Sequence, residues 1–298
     1  MLLTIVGEKG DVSMKIIWHE KEKPKMQVKE KEGVTYLTYP AFESFPWVLH
    51  GFSTRLGGVS QGIYSSMNLS FTRGDEEEAV MENYRRLGAA VGFLPEDVVT
   101  SDQTHTTNVR VVTEKDRGNG ITRPRAYTDV DGMITDVPGL VLGTFYADCV
   151  PLFFVDPVHR AVGLSHSGWR GTAGRMGEVT VQKMAAAFGS RPEDIQAAIG
   201  PSICQDCYEV SEDVILQFQQ TFAEKDWGSL FYRKENGKFQ LNLWEANRRI
   251  LVEAGVPAHQ ISMPNLCTCC NPKFLFSHRA SKGKRGNLGA FLGIRKEA

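Results

Sequence analysis

Residues 140–171 read LVLGTFYADCVPLFFVDPVHRAVGLSHSGWRG, and this stretch decides the fold. Apolar, β-branched and aromatic residues dominate three runs within it, and runs of this composition and length are typical of β-strands. Asp156 and Pro157 supply a turn between the second and third runs. The stretch therefore predicts three consecutive strands, at 140–147, 152–155 and 161–166.

The rest of the chain combines helices with further strands. Apolar residues recur at helical spacing before Gly92, and Asp75 with Glu78 predicts an acidic capping box at the start of that helix. Gly189 and Gly255 are expected to end two other helices. These two helices are predicted over 172–188 and 243–254, and a further helix is predicted after Ser211. The remaining strands are predicted at 34–39, 48–54, 108–113, 274–277 and 288–294.

The order of these segments predicts the fold class and the domain organisation. Because strands do not alternate strictly with helices, we expect a layered α/β fold of the α+β type, with mixed sheets flanked by helices. Residues 20–32, EKEKPKMQVKEKE, alternate charges around one proline and are typical of a solvated segment. We therefore expect residues 1–33 to form a peripheral N-terminal extension and residues 34–298 to form a single catalytic domain.

Composition excludes several classes of protein. The chain has 298 residues, of which 42% are hydrophobic and 23% charged, so extensive intrinsic disorder is not expected. The formal net charge of -1 gives no electrostatic reason to expect a nucleic-acid or membrane-surface partner. Asp148 and Pro151 interrupt the longest apolar run, which is too short to span a bilayer. No export signal is evident, so we expect a cytoplasmic protein with reduced cysteines.

Three residues suggest a metal site, namely His105, Cys149 and His166. Cys149 and His166 each end a predicted strand, and His105 precedes another, so the three side chains can meet at one edge of the fold. Imidazole and thiolate ligands suit Zn²⁺, and three protein ligands leave one tetrahedral position open, as in catalytic zinc sites. Spacing alone also allows Cys149 to be a small buried hydrophobe and His166 a hydrogen-bonded core histidine.

Several motifs together resemble those of the YfiH family, whose older names are laccase-domain and polyphenol oxidase proteins. They occur in the family's order from residue 50 to the end of the chain. The motifs are HGFSTRLGGVS (50–60), MNLS (67–70), QTH (103–105), DGMIT (131–135), ADCVP (147–151), HSGWRGTAGR (166–175), AAIGPSI (197–203) and FSHR (276–279).

This resemblance implies a zinc ion held by His105, Cys149 and His166. It also implies phosphorolysis of adenosine, inosine, guanosine and methylthioadenosine, together with deamination of adenosine. The expected partners are therefore purine nucleosides and phosphate, with no nucleic acid and no membrane. Two positions depart from the commoner family pattern, since QTH replaces QVH and HSGWRG replaces HAGWRG. The second change adds the hydroxyl of Ser167 next to a proposed ligand.

Residues for phosphate and catalysis can be proposed from their chemistry. Arg170 and Gly171 precede a predicted helix, whose N-terminal N–H groups would favour an anion. Arg55, in the loop STRLGG, is either a second phosphate clamp or a solvated charge. Asp148, beside Cys149, is either an acid/base group or a hydrogen-bond partner of the local backbone. Asn68 likewise either binds a ligand or forms hydrogen bonds to the local backbone.

Two other chemistries are open to the same residues. Two histidines and a cysteine can form a blue-copper site, but laccases need paired H-x-H motifs, and none occurs among the seven histidines of this chain. Copper is therefore the less favoured cofactor. Alternatively, Cys149 could be the nucleophile of a hydrolase with His166 as its base. A zinc site requires His105 as a third ligand, whereas a Cys-His dyad does not.

The other cysteines form two groups, Cys204-x-x-Cys207 and Cys267-x-Cys269-Cys270. They could build a structural four-sulfur site. The single residue between Cys267 and Cys269 matches the usual ligand spacings poorly. We therefore expect free thiols here.

Overall fold

Two six-stranded sheets face each other in the computed structural model, which describes residues 2–7, 10–19 and 26–296. The strands are β1 (Leu2–Gly7), β2 (Gly10–Lys15), β3 (Gln27–Lys31), β4 (Val34–Thr38), β5 (Val48–Ser53), β6 (Val98–Thr100), β7 (Val109–Val111), β8 (Gly132–Thr135), β9 (Val141–Tyr146), β10 (Val150–Asp156), β11 (Ala161–Ser167), β12 (Gln196–Ile199), β13 (Glu209–Val210), β14 (Phe231–Arg233), β15 (Phe239–Leu241), β16 (Ile261–Ser262) and β17 (Leu288–Ile294). The helices are α1 (Pro40–Glu43), α2 (Glu77–Val91), α3 (Trp169–Ala173), α4 (Met176–Phe188), α5 (Glu212–Thr221), α6 (Glu224–Leu230), α7 (Leu243–Glu253) and α8 (His278–Ser281).

Both large sheets are mixed. The first sheet has the order β3-β4-β5-β17-β9-β6, and the second has the order β16-β12-β10-β11-β8-β7. Parallel pairing is found between β6 and β9, between β7 and β8 and between β12 and β16, while the other pairs in these sheets are antiparallel. The predicted α/β fold with mixed sheets is therefore confirmed.

The central strands are buried on both faces, which explains their continuous apolar runs. Successive side chains of a strand point to opposite faces. Accordingly, Phe153 packs in the core between the two sheets, whereas Phe154 packs against the helices that cover the second sheet. In the same way Leu292 faces the second sheet and Phe291 packs beneath α2. The result is a four-layered arrangement of helix, sheet, sheet and helix.

The apolar residues that recur at helical spacing form the buried faces of the outer helices. Val80, Tyr84 and Leu87 of α2 are buried against the first sheet, and Gly92 ends this helix with a φ of 106°. On the other side, α4 and α7 cover the second sheet through residues such as Val181 and Ile250. No described helix has both the length and the apolar character needed to cross a bilayer.

The three strands predicted within 140–171 are confirmed as β9, β10 and β11. The single helix predicted over 172–188 is wrong, because the structure has α3 and α4 separated by Gly174 and Arg175. Arg175 adopts a left-handed conformation with a φ of 59°, which interrupts the helix. The chain therefore turns between the short α3 and the longer α4.

Two further local predictions are wrong. Residues 274–277 form a turn instead of a strand, since the N–H groups of Phe274 and Leu275 both donate to the carbonyl of Asn271. The capping box at Asp75 is not formed, because this carboxylate accepts from Asn68 and from the N–H of Glu76. Helix α2 begins one residue later than that motif predicted, with Glu76 at the N-cap position.

Part of the predicted N-terminal extension joins the first sheet. Strand β3 pairs with β4 along its full length, and Met26 just before it is buried in the core between the sheets. Strands β1 and β2 form an antiparallel hairpin. The boundary at residue 33 stays a prediction.

Candidate metal centre

Cys149 lies where the chain passes from the first sheet to the second. Strand β9 ends at Tyr146 in the first sheet, and β10 begins at Val150 in the second. Between them, Asp148 adopts a φ of 92°, which allows the sharp change of direction. The thiol is thus held at the junction of two rigid sheets rather than on a long loop.

His166 comes to the same end of the second sheet because β10 and β11 are antiparallel. Its register partner is Pro151, two residues beyond Cys149. The imidazole is buried, with 3% of its side chain exposed. The pairing of these strands therefore places His166 beside Cys149.

His105 reaches the site from the loop between β6 and β7. It adopts a φ of 67°, and nearby Gln103 fixes the loop by accepting from the N–H of Phe145 at 2.7 Å and donating to its carbonyl at 2.8 Å. The ligand atoms of His105, Cys149 and His166 all lie within 4.8 Å of one another. The structure thus brings together the three ligands that the sequence suggested.

Asp131 holds two of these ligands in place, a role that the sequence did not reveal. Its buried carboxylate lies 2.7 Å from Nδ1 of His166 and accepts from the N–H of His105 at 3.1 Å. It also accepts from the N–H groups of Thr104 and Thr106. A histidine whose Nδ1 donates to a carboxylate presents Nε2 to a metal, so Asp131 fixes the ring orientation that a ligand needs.

The electrostatics of the site favour an ionised thiol. Burial alone would raise the pKa of Cys149, but His166 and His105 outweigh it and lower this pKa to about 6. Burial would lower the pKa of His166, but Cys149 and Asp131 raise it to about 9. For Asp131, burial is outweighed by His166 and the backbone donors, so its pKa falls to about 2. A thiolate is the form of cysteine that binds metals.

Gly168 has no side chain that would fill the space next to His105 and Cys149. A Cβ atom at this position would lie 3.1 Å from Cδ2 of His105 and 3.2 Å from Sγ of Cys149. Its φ of -69° is accessible to any residue. The absence of a side chain at this position is therefore a matter of space next to the ligands rather than of backbone conformation.

A cavity of about 320 Å³ opens onto the three ligands. Its lining is mostly polar, with two aromatic side chains and three arginines. The lining residues are Ser70, Thr72, Arg73, Ser101, Asp102, Gln103, His105, Arg125, Phe145, Tyr146, Ala147, Cys149, His166, Arg285 and Asn287.

Arg285 is a cavity residue with unmet bonding capacity. Its Nε is buried and has no hydrogen-bond partner among the described residues. Burial, reinforced by the nearby positive charge of Arg73, lowers the pKa of Arg285 to about 10. Asn287 adds a buried Oδ1 atom that is likewise without a donor in the described part of the chain. The cavity thus offers an anion two neighbouring positive charges.

The predicted phosphate residues do not line this cavity. The guanidinium of Arg55 donates to the carbonyls of Ser65 and Pro272, which makes it a link between loops. Arg170 lies over the ring of Trp169, with its Cζ 4.3 Å from the centroid. Gly171 is buried within α3, which has only five residues. Their role in phosphate binding stays a prediction.

Asn68 and Asp148 make structural hydrogen bonds. Oδ1 of Asn68 accepts from the N–H of Asn287 and so helps to position that cavity residue. The carboxylate of Asp148 accepts from Oγ1 of Thr268 at 2.6 Å and from the N–H of Arg279 at 2.7 Å. These bonds fit the alternative of anchoring local structure, and proton transfer by Asp148 stays a prediction.

Ser167 does not place its hydroxyl beside the ligands. Its Oγ donates to Oδ1 of Asn247 at 2.9 Å and lies 3.0 Å from Oγ1 of Thr172. Because neighbouring strand residues point to opposite faces, Ser167 faces α7 while His166 faces the metal centre.

Comparison with known proteins identifies the family of this chain. Residues 49–295 match the family model described as multi-copper polyphenol oxidoreductase laccase. The chain belongs to this family. A crystal structure of another protein of similar fold, the hypothetical protein YfiH of Bacillus licheniformis, has a TM-score of 0.84 at 35% identity and covers 90% of this chain and 99% of that one. The resemblance to YfiH proteins is therefore confirmed.

Curated relatives of this laccase-domain chain carry enzyme names. Purine nucleoside phosphorylase YlmD of Geobacillus stearothermophilus is 38% identical over 255 residues, which cover 85% of this chain and 92% of the relative. Adenosine deaminase RL5, from an unknown prokaryotic organism, is 38% identical over 234 residues, which cover 78% of this chain and 88% of the relative. Both names describe enzymes that act on purine nucleosides.

Proposed function

We propose that this laccase-domain protein is a zinc-dependent purine nucleoside phosphorylase with a second, adenosine deaminase activity. The phosphorylase would convert adenosine, inosine, guanosine or methylthioadenosine and phosphate into the free base and ribose 1-phosphate. The observation that carries the proposal is the convergence of His105, Cys149 and His166 at the floor of a polar cavity. The names of the curated relatives support the same substrates.

The donor set fits zinc. Two imidazoles and one thiolate are ligands that Zn²⁺ prefers, and a site with three protein ligands keeps one position for water or substrate. Asp131 orients His166, and the lowered pKa of Cys149 keeps its sulfur ionised near neutral pH. A bound zinc ion would supply Lewis-acid polarisation or water activation at the floor of the cavity. Copper is the less favoured cofactor, because the chain has no H-x-H motif.

Phosphate would bind next to Arg285 and Arg73. Phosphorolysis needs an anion site close to the ribose, and guanidinium groups bind phosphate through charge-assisted hydrogen bonds. The partnerless Nε of Arg285 is available for such a bond, and Arg73 adds a second charge to the same cavity. The arginines here are thus better placed for phosphate than Arg170 or Arg55, which lie outside the cavity lining.

The nucleoside would occupy the rest of the cavity. Phe145 lines it and offers a ring against which a purine can stack. The buried Oδ1 of Asn287 can accept from a ribose hydroxyl or a purine amino group. Deamination of adenosine would use the same cavity, with the metal centre acting at the base instead of at the sugar. A cytoplasmic location of the enzyme stays a prediction.

An assay of inosine with and without phosphate tests this function. We expect hypoxanthine and ribose 1-phosphate to form only when phosphate is present. Release of hypoxanthine without phosphate would indicate a hydrolase, and a complete lack of turnover of purine nucleosides would contradict the proposal. Ammonia release from adenosine tests the second activity separately.

A cysteine hydrolase is the second candidate, since Cys149, His166 and Asp131 form a hydrogen-bonded series that resembles a nucleophile, base and orienting acid. The variant His105→Ala separates the two functions. A zinc enzyme would lose the metal of this centre and its activity together, because His105 is the third ligand of the centre. A cysteine hydrolase would retain activity and would be inactivated by thiol alkylation.

A further inference from the structure

A second cluster of metal-binding side chains lies outside the cavity. Ligand atoms of His19, Cys204, Cys267 and Cys270 all lie within 4.8 Å of one another. The four residues come from three distant segments: the stretch before β3, the loop after β12 and the loop after β16. This cluster differs from the four-sulfur site considered from the sequence, because an imidazole replaces the thiol of Cys207.

The spacing of two of the thiols matches a tetrahedral zinc site. Zn–S bonds of about 2.3 Å at tetrahedral angles separate two sulfur atoms by about 3.8 Å. Sγ of Cys204 lies 3.9 Å from Sγ of Cys270. Three cysteines and one histidine are also a common ligand set of structural zinc sites, which leave no position open for substrate.

The surroundings of Cys267 are those of a thiolate ligand. The N–H of Cys204 donates to its sulfur at 3.2 Å, and the N–H of Cys270 donates to it at 3.4 Å. Cys267 is fully buried, and Cys204 has only 3% of its surface exposed. Backbone N–H groups directed at a buried sulfur stabilise its negative charge, as the hydrogen bonds around metal ligands do.

His19 brings an imidazole nitrogen within 4.8 Å of the three thiols. Its Nε2 is buried, and no nitrogen or oxygen atom of the described residues is its hydrogen-bond partner. The segment around it is firmly positioned, because the N–H of His19 donates to the carbonyl of Asn265 at 2.9 Å. Asn271 accepts from the N–H of Ile17 and donates to its carbonyl. A buried imidazole nitrogen directed at three sulfur atoms points to a cation between them.

We propose that His19, Cys204, Cys267 and Cys270 form a second, structural zinc site. A closed set of four protein ligands would fasten the N-terminal segment to the loops after β12 and β16. Binding would release the protons of the three thiols. Cys207 and Cys269 remain outside the set, although Sγ of Cys207 lies 3.5 Å from Sγ of Cys270.

This structural site would also support the first metal centre. Thr268, next to Cys267, donates its hydroxyl to Asp148 at 2.6 Å. Ile203, next to Cys204, donates its N–H to the carbonyl of Asp148 at 3.0 Å. Asp148 immediately precedes Cys149, so both loops of the second site hold the segment that carries the thiol of the first.

Zinc content measured in two backgrounds tests the proposal. The wild-type protein should bind about two zinc ions per chain, and Cys149→Ala, which removes a ligand of the first centre only, should retain about one. In that background Cys270→Ser and His19→Gln should each remove most of the remaining zinc and lower Tm by several degrees. Cobalt substitution of Cys149→Ala protein should give a sulfur-to-cobalt charge-transfer band, since three of its ligands are thiolates.

Cys269→Ser is the matched control, because Cys269 neighbours Cys270 but lies outside the ligand set. This variant should keep its zinc and its cobalt spectrum. Cys149→Ala protein without zinc or a thiolate–cobalt band would overturn the proposal, as would retention of zinc by both Cys270→Ser and His19→Gln. Loss of zinc with Cys207→Ser but not with His19→Gln would assign a four-sulfur site instead. Failure of the first centre would appear differently, as equal zinc contents in wild-type and Cys149→Ala protein.

Discussion

The carboxylate of Asp131 lies 2.7 Å from Nδ1 of His166 and accepts the N–H of His105 at 3.1 Å. One buried acid thus orients the ring of one ligand and the backbone of another. Removing its charge while keeping its shape should weaken the metal centre without disrupting the fold. Hydrogen bonds of this kind are worth about 10- to 100-fold in metal affinity.

The variant Asp131→Asn should therefore bind zinc about 10- to 100-fold more weakly and lose activity in parallel. Competition with a chromophoric chelator measures this affinity. Asp129→Asn is a suitable control, because Asp129 lies in the same segment and bonds Asn108 and Thr104 but neither histidine. Equal zinc affinity of Asp131→Asn and the wild-type protein would show that the first centre does not depend on this hydrogen bond.

Gly168 provides a test of the space around the ligands. An added Cβ would lie 3.1 Å from the ring of His105 and 3.2 Å from Sγ of Cys149, so Gly168→Ala should push the ligands apart. Overpacking costs about 1–3 kcal/mol, so we expect zinc affinity to fall by about tenfold. Gly228→Ala is the control, since no atom of the described residues lies within 4 Å of a Cβ added there. A fall in thermal stability with unchanged zinc affinity would disagree with this account.

The sequence predicted the strands and the closeness of three candidate metal ligands for clear physical reasons. Strands β9, β10 and β11 are buried on both faces, so their apolar runs identify them without any tertiary information. Cys149 directly precedes β10 and His166 lies near the end of β11. Because these two strands are antiparallel neighbours, the motifs around both residues meet at one edge of the sheet.

Features created only by tertiary contacts could not be predicted in this way. Asp131 gains its role from a histidine 35 residues away, and the motif DGMIT that contains it does not indicate this role. Arg285 belongs to a basic, Gly-containing loop that is typical of a solvated surface, yet its Nε is buried in the cavity. The break between α3 and α4 depends on the left-handed turn at Arg175, a residue type that carries no signal for it.

His50 should make stability depend on pH. Burial lowers its pKa to about 4, and its Nε2 accepts from the N–H of Tyr39 at 2.9 Å, which requires the neutral ring. Glu43 partly opposes this effect, while Arg295 and Lys29 add to it. Between pH 6.5 and 4 the unfolded chain binds the proton and the folded chain does not. Stability is therefore lost as the pH falls through this window, by about 3 kcal/mol at most.

The variant His50→Gln isolates this contribution, because glutamine can accept the same hydrogen bond and does not titrate. Urea unfolding at pH 7 and at pH 4.5 should show a smaller loss of the free energy of unfolding for the variant than for the wild-type protein. Both proteins share the remaining titrating groups, so the comparison cancels them. Identical losses would mean that His50 is protonated to the same extent in the folded and unfolded chains.

Phosphate binding distinguishes Arg285, one of three arginines that line the cavity, from Arg170, which the sequence favoured. Arg285 has a buried Nε without a partner in the described part of the chain, whereas Arg170 stacks on Trp169 outside the cavity lining. A charge-assisted hydrogen bond is worth about 1.5–3 kcal/mol, so Arg285→Gln should raise KM for phosphate by about tenfold or more. KM for inosine should change much less, because the lost bond is to the anion. If Arg170→Gln raises KM for phosphate and Arg285→Gln does not, the anion binds at the start of α3 and the cavity arginines serve another purpose.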